Sequence, residues 1–339
     1  MPPIVECVPN FSEGRSQTTI DAIARAIAGV AGVKLLSAEP DKDYNRTVVT
    51  FVGEPEPVVK AAFEGTRTAA ERIDMRIHSG SHPRLGATDV VPFVPVSGVT
   101  MADCVRLAHA FGKRVGEELG LPVYLYEEAA TRPGRKNLAV VRKGEYEGLE
   151  ARLRDPEWAP DYGPALFNPR TGAVIAGART FLIAYNVNLA TADVKLASEI
   201  AARIRESGRV KKDAQGRPVL DGQGNKVTVP GSLKAVKAIG VFLEAHAIAQ
   251  VSINLVDYHV TPPHAAFEEV KREAAALGTT VTGSEIVGLT PREALLMAGA
   301  FYAPGETDEH ALVRRAVAGL GLSDLEPFDP QKKVIEYQL

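Results

Sequence analysis

Val33-Lys34-Leu35-Leu36-Ser37-Ala38 and Thr47-Val48-Val49-Thr50-Phe51-Val52 are two apolar runs of strand length, joined by the polar stretch Glu39-Pro40-Asp41-Lys42-Asp43-Tyr44-Asn45-Arg46. Apolar, β-branched segments on either side of a polar loop predict a hairpin. Upstream, Ile4 to Val8 is short and β-rich and stops at Pro9-Asn10. Ser16 then reads as a helix N-cap, and Ile20, Ile23, Ala24, Ile27 and Ala28 recur at helical spacing. Downstream, Pro55 to Ile73 carries a second helix, with Val58, Val59, Ala62 and Ala69 on its apolar side, and Val90 to Val96 reads as a strand. The order is β-α-β-β-α-β, the split unit of ferredoxin-like folds.

Further out, Met101–Leu119 predicts a helix closed by Gly120, followed by a strand over Pro122–Tyr126. From Thr131 to Gly172 prolines, glycines and charges are frequent and periodicity fades, the composition of a connector between two cores. A second pattern then begins: a strand over Phe181–Leu189, a helix over Thr191–Glu206, strands over Ala235–Glu244 and Gln250–Tyr258, a helix over Pro263–Leu277 and extended chain over Thr279–Val287. This is again β-α-β-β-α-β, with two more helices from Pro291 and Asp308. The fold class expected is therefore α+β, with two ferredoxin-like subdomains: 1–178, including the connector, and 179–339. An insertion over 209–231 interrupts the second, and its Asp221-Gly222-Gln223-Gly224-Asn225 centre suits a hairpin tip.

A length of 339 residues agrees with two cores. The net charge of −3 gives no general attraction to nucleic acid or anionic membrane, and no apolar run is long enough to span a bilayer. The N-terminus has no signal-peptide pattern, so the cytoplasm is the expected compartment. Cys7 and Cys104, each in an apolar run, read as buried reduced thiols. No phosphate-binding or dinucleotide glycine motif falls at a strand–helix junction, which disfavours nucleotide cofactors.

The densest polar cluster is His78-Ser79-Gly80-Ser81-His82-Pro83-Arg84-Leu85-Gly86-Ala87-Thr88-Asp89, between a helix and a strand. Two histidines four apart pair on a metal only if helical, and Gly80 and Pro83 disfavour a helix; the zinc-protease glutamate after the first histidine is also missing, so no metal is expected. An acid–base role suits histidine, which titrates near neutrality, but either imidazole could instead hydrogen-bond the loop, and both readings stand open. Val8 to Arg15 joins a strand to a helix start, a place that attracts anions. Asp161 to Gly172 is turn-rich, and its place between two cores gives it interest because ligand sites favour domain interfaces.

These stretches carry a resemblance. Val5-Glu6-Cys7-Val8-Pro9-Asn10-Phe11-Ser12-Glu13-Gly14, Asn45-Arg46-Thr47-Val48, His82-Pro83-Arg84 with Gly86 and Asp89, and Tyr124-Leu125-Tyr126 resemble glutamate formiminotransferases, including the formiminotransferase part of formiminotransferase-cyclodeaminases. Gly177-Ala178-Arg179, Phe181 to Ala184, Ala249 to Ser252 and Ile335-Glu336-Tyr337 extend the resemblance through the second half. It implies two α/β subdomains with a ligand crevice between them, a homodimer, and transfer of the formimino group from N-formiminoglutamate to N5 of tetrahydrofolate, with release of glutamate in histidine breakdown. His82 matches the family's catalytic histidine. Gly163, Pro164, Ala165, Leu166, Phe167, Asn168, Pro169, Arg170, Thr171 and Gly172 match its folate-contacting stretch.

The implied chemistry needs a proton carrier. The folate amine attacks the amidine carbon to give a tetrahedral intermediate; N5 loses a proton and the departing glutamate nitrogen gains one. One imidazole can do both, worth about 10²–10⁴-fold in rate. The formimino group is an amidinium near neutrality, and Glu39 is the candidate carboxylate to hold it, although relatives often carry the shorter aspartate there. Arg84 could clamp a substrate carboxylate as a bidentate donor or serve in a structural ion pair. From Ser207 to Lys237 seven basic residues face Asp213 and Asp221, 7 − 2 = +5, which could attract the oligoglutamate tail of a polyglutamylated folate. The chain ends soon after the second core, which suggests a transferase without a cyclodeaminase domain. Two rivals remain: a folate-dependent enzyme using N-formylglutamate or another donor, and a folate- or amino-acid-binding protein without turnover, since fold alone never fixes function.

Overall fold

The computed structural model describes residues 3–338. Its first unit, Met1–Thr180, begins with two short strands, β1 (Ile4–Cys7) and β2 (Asn10–Phe11), parted by Val8-Pro9. Helix α1 (Gln17–Ala28) starts where the Ser16 side chain accepts from the Thr19 N–H, and it buries Ile20, Ile23 and Ile27. The hairpin follows as β3 (Val33–Asp41) and β4 (Arg46–Gly53), paired antiparallel from Val33 with Gly53 to Asp41 with Arg46. Then come α2 (Pro55–Arg72) and β5 (Thr88–Ser97). Both β1 and β2 lie between β4 and β5 and run antiparallel to each.

Helix α3 (Met101–Arg114) opens with a reciprocal capping box between Thr100 and Asp103. The helix expected to reach Leu119 is regular only to Arg114; Val115–Leu119 widens into a π turn that ends at Gly120, φ +64°. After it, β6 (Val123–Glu127) precedes two helices, α4 (Leu138–Val141) and α5 (Glu145–Leu153), and then β7 (Val174–Ala178), which inserts between β5 and β6 and runs parallel to both.

The stretch expected to be a connector is thus part of the first core. Strands β5 to β7 bury side chains on both faces: Val91, Phe93, Val123, Leu125 and Ala176 pack with α1 to α3, while Val90, Tyr124, Tyr126 and Ile175 pack with Val141, Leu149 and Leu153 from α4 and α5. Strands apolar on both faces require a cover on each, and residues 138–153 supply the second. Buried Arg135 fastens this layer, pairing with Asp161 at 2.9 Å while donating to the Ala159 carbonyl at 2.7 Å.

The second unit is Phe181–Leu339. It contains β8 (Ile183–Leu189), α6 (Val194–Ile204), the two-residue strands β9 (Arg209–Val210) and β10 (Thr228–Val229), β11 (Val236–Leu243), β12 (Ile248–Leu255), α7 (Pro263–Ala276), β13 (Val281–Val287), α8 (Arg292–Tyr302) and α9 (Glu309–Gly319). Its main sheet has the order β11-β12-β8-β13, antiparallel throughout. Helix α6 begins at Val194 rather than Thr191 because Thr191 and Asp193 spend their side chains on the capping turn, accepting from the Asp193 and Lys195 N–H groups. Within 209–231, β9 pairs with β10, and two glycine turns follow one pattern: Asp213 accepts from the Gln215 and Arg217 N–H groups, as Asp221 does from Gln223 and Asn225. No described helix is long and apolar enough to cross a membrane.

Candidate functional site

The site grows from the loop that feeds β5. His78 donates from Nε2 to the Asn45 carbonyl at 2.9 Å, and the Asn45 side chain returns a bond to the Ser79 carbonyl at 2.9 Å. The same Asn45 side chain accepts from the Gly14 N–H at 2.9 Å, which ties the strand–helix turn into the hairpin tip. Asn45 can face both ways because its backbone is left-handed, φ +48°, a conformation asparagine tolerates better than most residues. Ser12 adds Oγ to the Gly86 carbonyl at 2.7 Å and its N–H to the Ala87 carbonyl at 2.9 Å. Three loops that are distant in sequence therefore meet around residues 78–87.

A fourth segment joins them. Ala87 donates to the Thr171 carbonyl at 2.8 Å, Ala173 to the Leu85 carbonyl at 3.2 Å, and Met75 to the Arg170 carbonyl at 2.8 Å. The expected ligand stretch Gly163–Gly172 is thus bonded, at its far end, to the histidine loop. Glycine permits both of its anchors. Gly163 (φ +75°) leaves no room for a Cβ beside the Leu121 carbonyl, 2.1 Å away, nor Gly172 (φ +67°) beside the Leu85 carbonyl, 2.2 Å away. Between these anchors the stretch is open: Pro164, Ala165, Leu166, Pro169 and Arg170 are exposed, and Phe167 rests against Tyr146 at 5.5 Å between ring centroids.

The two histidines differ in their bonding. His78 holds the loop, as one of its two readings expects. The half-buried ring of His82 makes no hydrogen bond within the described residues; its aromatic neighbour is Tyr44, edge-on at 6.4 Å. Burial, reinforced by the positive charges of Arg142, Arg46, Arg84 and His78, depresses the His82 pKa to about 4. The sequence places this imidazole near neutrality; in the fold it is an uncharged base at physiological pH. Desolvation likewise lowers His78.

Arg84 is committed within the protein. Its side chain is 6% exposed and donates to Glu145 Oε2 at 3.0 Å, Glu147 Oε2 at 2.9 Å and Glu147 Oε1 at 2.7 Å. Arg142 is committed too, pairing with buried Asp89, which also accepts the Leu85 N–H at 3.0 Å. Burial pushes the Asp89 carboxyl upward in pKa while Arg142 pulls it back. Glu39 stands exposed on β3, opposite Val48, within electrostatic reach of Arg46. Arg142, Glu145 and Glu147 were not identifiable as site residues from the sequence, because their segment reads as connector. The Gly144-Glu145 pair, both left-handed at φ +86° and +52°, turns α5 so that its first residues reach Arg84.

A cavity of about 470 Å³ lies beside this group, lined by His78, Ser79, Gly80, Arg84, Glu145 and Glu147 among others. His82 is not in its lining. A second cavity, about 460 Å³, lies in the other unit between Thr282, Arg314, Asp324 and Phe328, and contains none of the residues that the sequence singles out. The first lies where titratable groups converge on rigidly held loops. Around it Ile77 is 84% exposed, Leu166 70% and Tyr44 47%, apolar surface on the very loops that build the site. Among the described residues no cluster of three or more histidine, cysteine or acidic side chains is arranged to hold a metal ion.

Comparison with known proteins supplies the context. Residues 4–179 match the family described as "Formiminotransferase domain, N-terminal subdomain", and residues 184–339 match "Formiminotransferase domain". A formimidoyltransferase-cyclodeaminase of Dictyostelium discoideum is 49% identical over 99% of this chain and 60% of its own length. Two proteins named glutamate formimidoyltransferase align over nearly their full length: that of Thermoplasma acidophilum is 46% identical over 88% of this chain and 92% of its own, and that of Streptococcus pyogenes serotype M1 is 43% identical over 89% and 94%. The chain spans about 60% of the length of the cyclodeaminase-bearing relatives.

Proposed function

The chain belongs to the formiminotransferase domain family, and from that membership we propose that it is an enzyme, a glutamate formimidoyltransferase that moves the formimino group of N-formimino-L-glutamate to N5 of tetrahydrofolate and releases glutamate. The observation that carries the reading is the ring of His82, half-buried where the loops meet and free of any hydrogen bond within the described residues. An imidazole employed structurally would be bonded, as His78 is.

Tetrahydrofolate supplies the attacking amine. His82, uncharged at rest, takes the proton that this amine must lose. The resulting imidazolium, set among Arg142, Arg46 and Arg84, is a stronger acid than a free one and returns the proton to the departing glutamate nitrogen. Glu39, Glu145 and Glu147 are the carboxylates available to an amidinium; Glu145 and Glu147 line the cavity while holding Arg84. The open middle of Gly163–Gly172, with exposed Leu166 and the nearby exposed Ile77 and Tyr44, suits the flat apolar body of a reduced pterin. Each unit is read as ferredoxin-like, a reading supported by the antiparallel order shared by β3-β4-β1-β5 and β11-β12-β8-β13. A cytoplasmic homodimer and attraction of an oligoglutamate tail by the basic 209–231 segment complete the proposal.

The test is direct. The purified chain is incubated with N-formiminoglutamate and tetrahydrofolate, and 5-formiminotetrahydrofolate and free glutamate are measured together. Equimolar appearance of both is expected. Turnover confined to N-formylglutamate would replace the donor, and folate binding without turnover with either donor would make the chain a binding protein.

A further inference from the structure

We propose that Arg46 is the receptor for the α-carboxylate of the amino-acid donor. The inference rests on the transferase reading above and adds to it the residue that recognises the donor next to its reacting carbon.

Three guanidinium groups act electrostatically on His82. Two are neutralised within the protein: Arg142 by Asp89, and Arg84 by Glu145 and Glu147. Arg46 is not. No carboxylate forms an ion pair with it among the described residues, and its Nε is buried without a hydrogen-bond partner. Asp41 and Glu39 act on it only through space, and the Asp41 carboxylate is already accepting from the Asp43 and Tyr44 N–H groups. A buried donor on a charged group without a partner is costly, so it marks a place where an acceptor belongs. A guanidinium is suited to a carboxylate, which it can grip with parallel N–H bonds.

The position of Arg46 selects which carboxylate. Its guanidinium carbon lies 5.8 Å from the centroid of the Tyr44 ring, which also makes an edge contact with the His82 imidazole. Arg46 and His82 are therefore neighbours of one aromatic ring. In the donor, only the amino nitrogen and the α-carbon separate the reacting amidine carbon from the α-carboxylate. The γ-carboxylate is farther away, and the carboxylates of tetrahydrofolate lie at the end of the molecule remote from N5. With the reacting carbon at His82, the α-carboxylate of the donor is the anion that falls within reach of Arg46.

The charged groups facing His82 are Arg84 and His78 from its own loop, Arg46 from the hairpin, and Arg142 at the end of α4. All disfavour a second positive charge. A carboxylate seated on Arg46 removes the one contribution that has no partner, so the imidazole becomes a better base when the donor is present.

Arg46→Gln and Arg46→Lys are compared with the parent chain, using N-formiminoglutamate and its α-amide and γ-amide analogues as donors. The parent chain should disfavour the α-amide by about 10- to 100-fold in kcat/KM, the scale of a lost charge-assisted bond. Arg46→Gln should lose that discrimination, with Arg46→Lys intermediate, while the γ-amide is discriminated equally by all three and the KM for tetrahydrofolate stays within about twofold. Saturating glutamate should raise the His82 midpoint, followed by NMR, in the parent but not in Arg46→Gln. Undiminished discrimination against the α-amide in Arg46→Gln overturns the assignment, as does selective loss of γ-amide discrimination. Failure of the parent to turn over would instead strike the transferase reading itself. Should Arg46→Gln not fold, Arg46→Lys and the glutamate titration of the parent still decide.

Discussion

Gly172→Ala would put a methyl group 2.2 Å from the Leu85 carbonyl oxygen and 2.8 Å from the Gly86 Cα, at a backbone φ of +67°. The left-handed conformation alone costs an L-residue about 1–2 kcal/mol. Ordinary van der Waals contact begins near 3.4 Å, so the two segments must separate by roughly 1 Å. That separation breaks the bonds on either side, Ala87 to Thr171 and Ala173 to Leu85, each worth about 0.5–1.5 kcal/mol. The sum is about 2–5 kcal/mol, or a melting point lower by about 4–20 °C for a unit of this size. Function should suffer beyond stability, because the contact joins Gly163–Gly172 to the loop that carries His82. Differential scanning fluorimetry gives the first quantity, and the KM for tetrahydrofolate, expected to rise, gives the second. Gly120→Ala is the control: it has nearly the same backbone angle, φ +64°, in the same unit, but open space around the new methyl group, so it should show the conformational cost alone. Equal melting points for the two variants, with KM unchanged in Gly172→Ala, would refute the idea that this glycine contact fixes the ligand stretch.

Two further outcomes are expected. Asp89→Asn should cost about 3–5 kcal/mol in urea unfolding, since it strands Arg142 beside a buried site, and should lower the His82 midpoint further by leaving that guanidinium unneutralised; a loss below about 1 kcal/mol would mean that the pair is dispensable. Cys7 and Cys104 should resist a thiol reagent at pH 8 in the native protein and react once unfolded, because burial raises both thiols, Cys104 to about 12; fast native labelling would contradict that burial.

The hairpin from Val33 to Val52 was legible because two apolar, β-branched runs and the polar turn between them are local signals, and the same holds for α1, with Ser16 at its cap and its isoleucine stripe. The second layer of the first unit was not. Val140, Val141, Leu149 and Leu153 are too few and too interrupted by Gly144 and Gly148 to show a period, and their burial depends on Tyr124, Tyr126 and Ile175, residues distant in sequence. That is also why Arg142, Glu145 and Glu147 stayed hidden. The histidine loop was visible by its composition, but the division of labour within it was not: the bonds to Asn45 and Arg84 distinguish His78, the structural member, from His82. Likewise, Arg84 could have served either a ligand or an ion pair until its two glutamate partners were located.

The account stands on the His82 imidazole as the proton carrier. Its most direct test is the turnover of His82→Ala with N-formiminoglutamate and tetrahydrofolate, measured beside the dissociation constant for tetrahydrofolate. A fall in kcat of about 10²–10⁴-fold, with folate affinity held within about twofold, is the result expected. Turnover equal to that of the parent chain would contradict it.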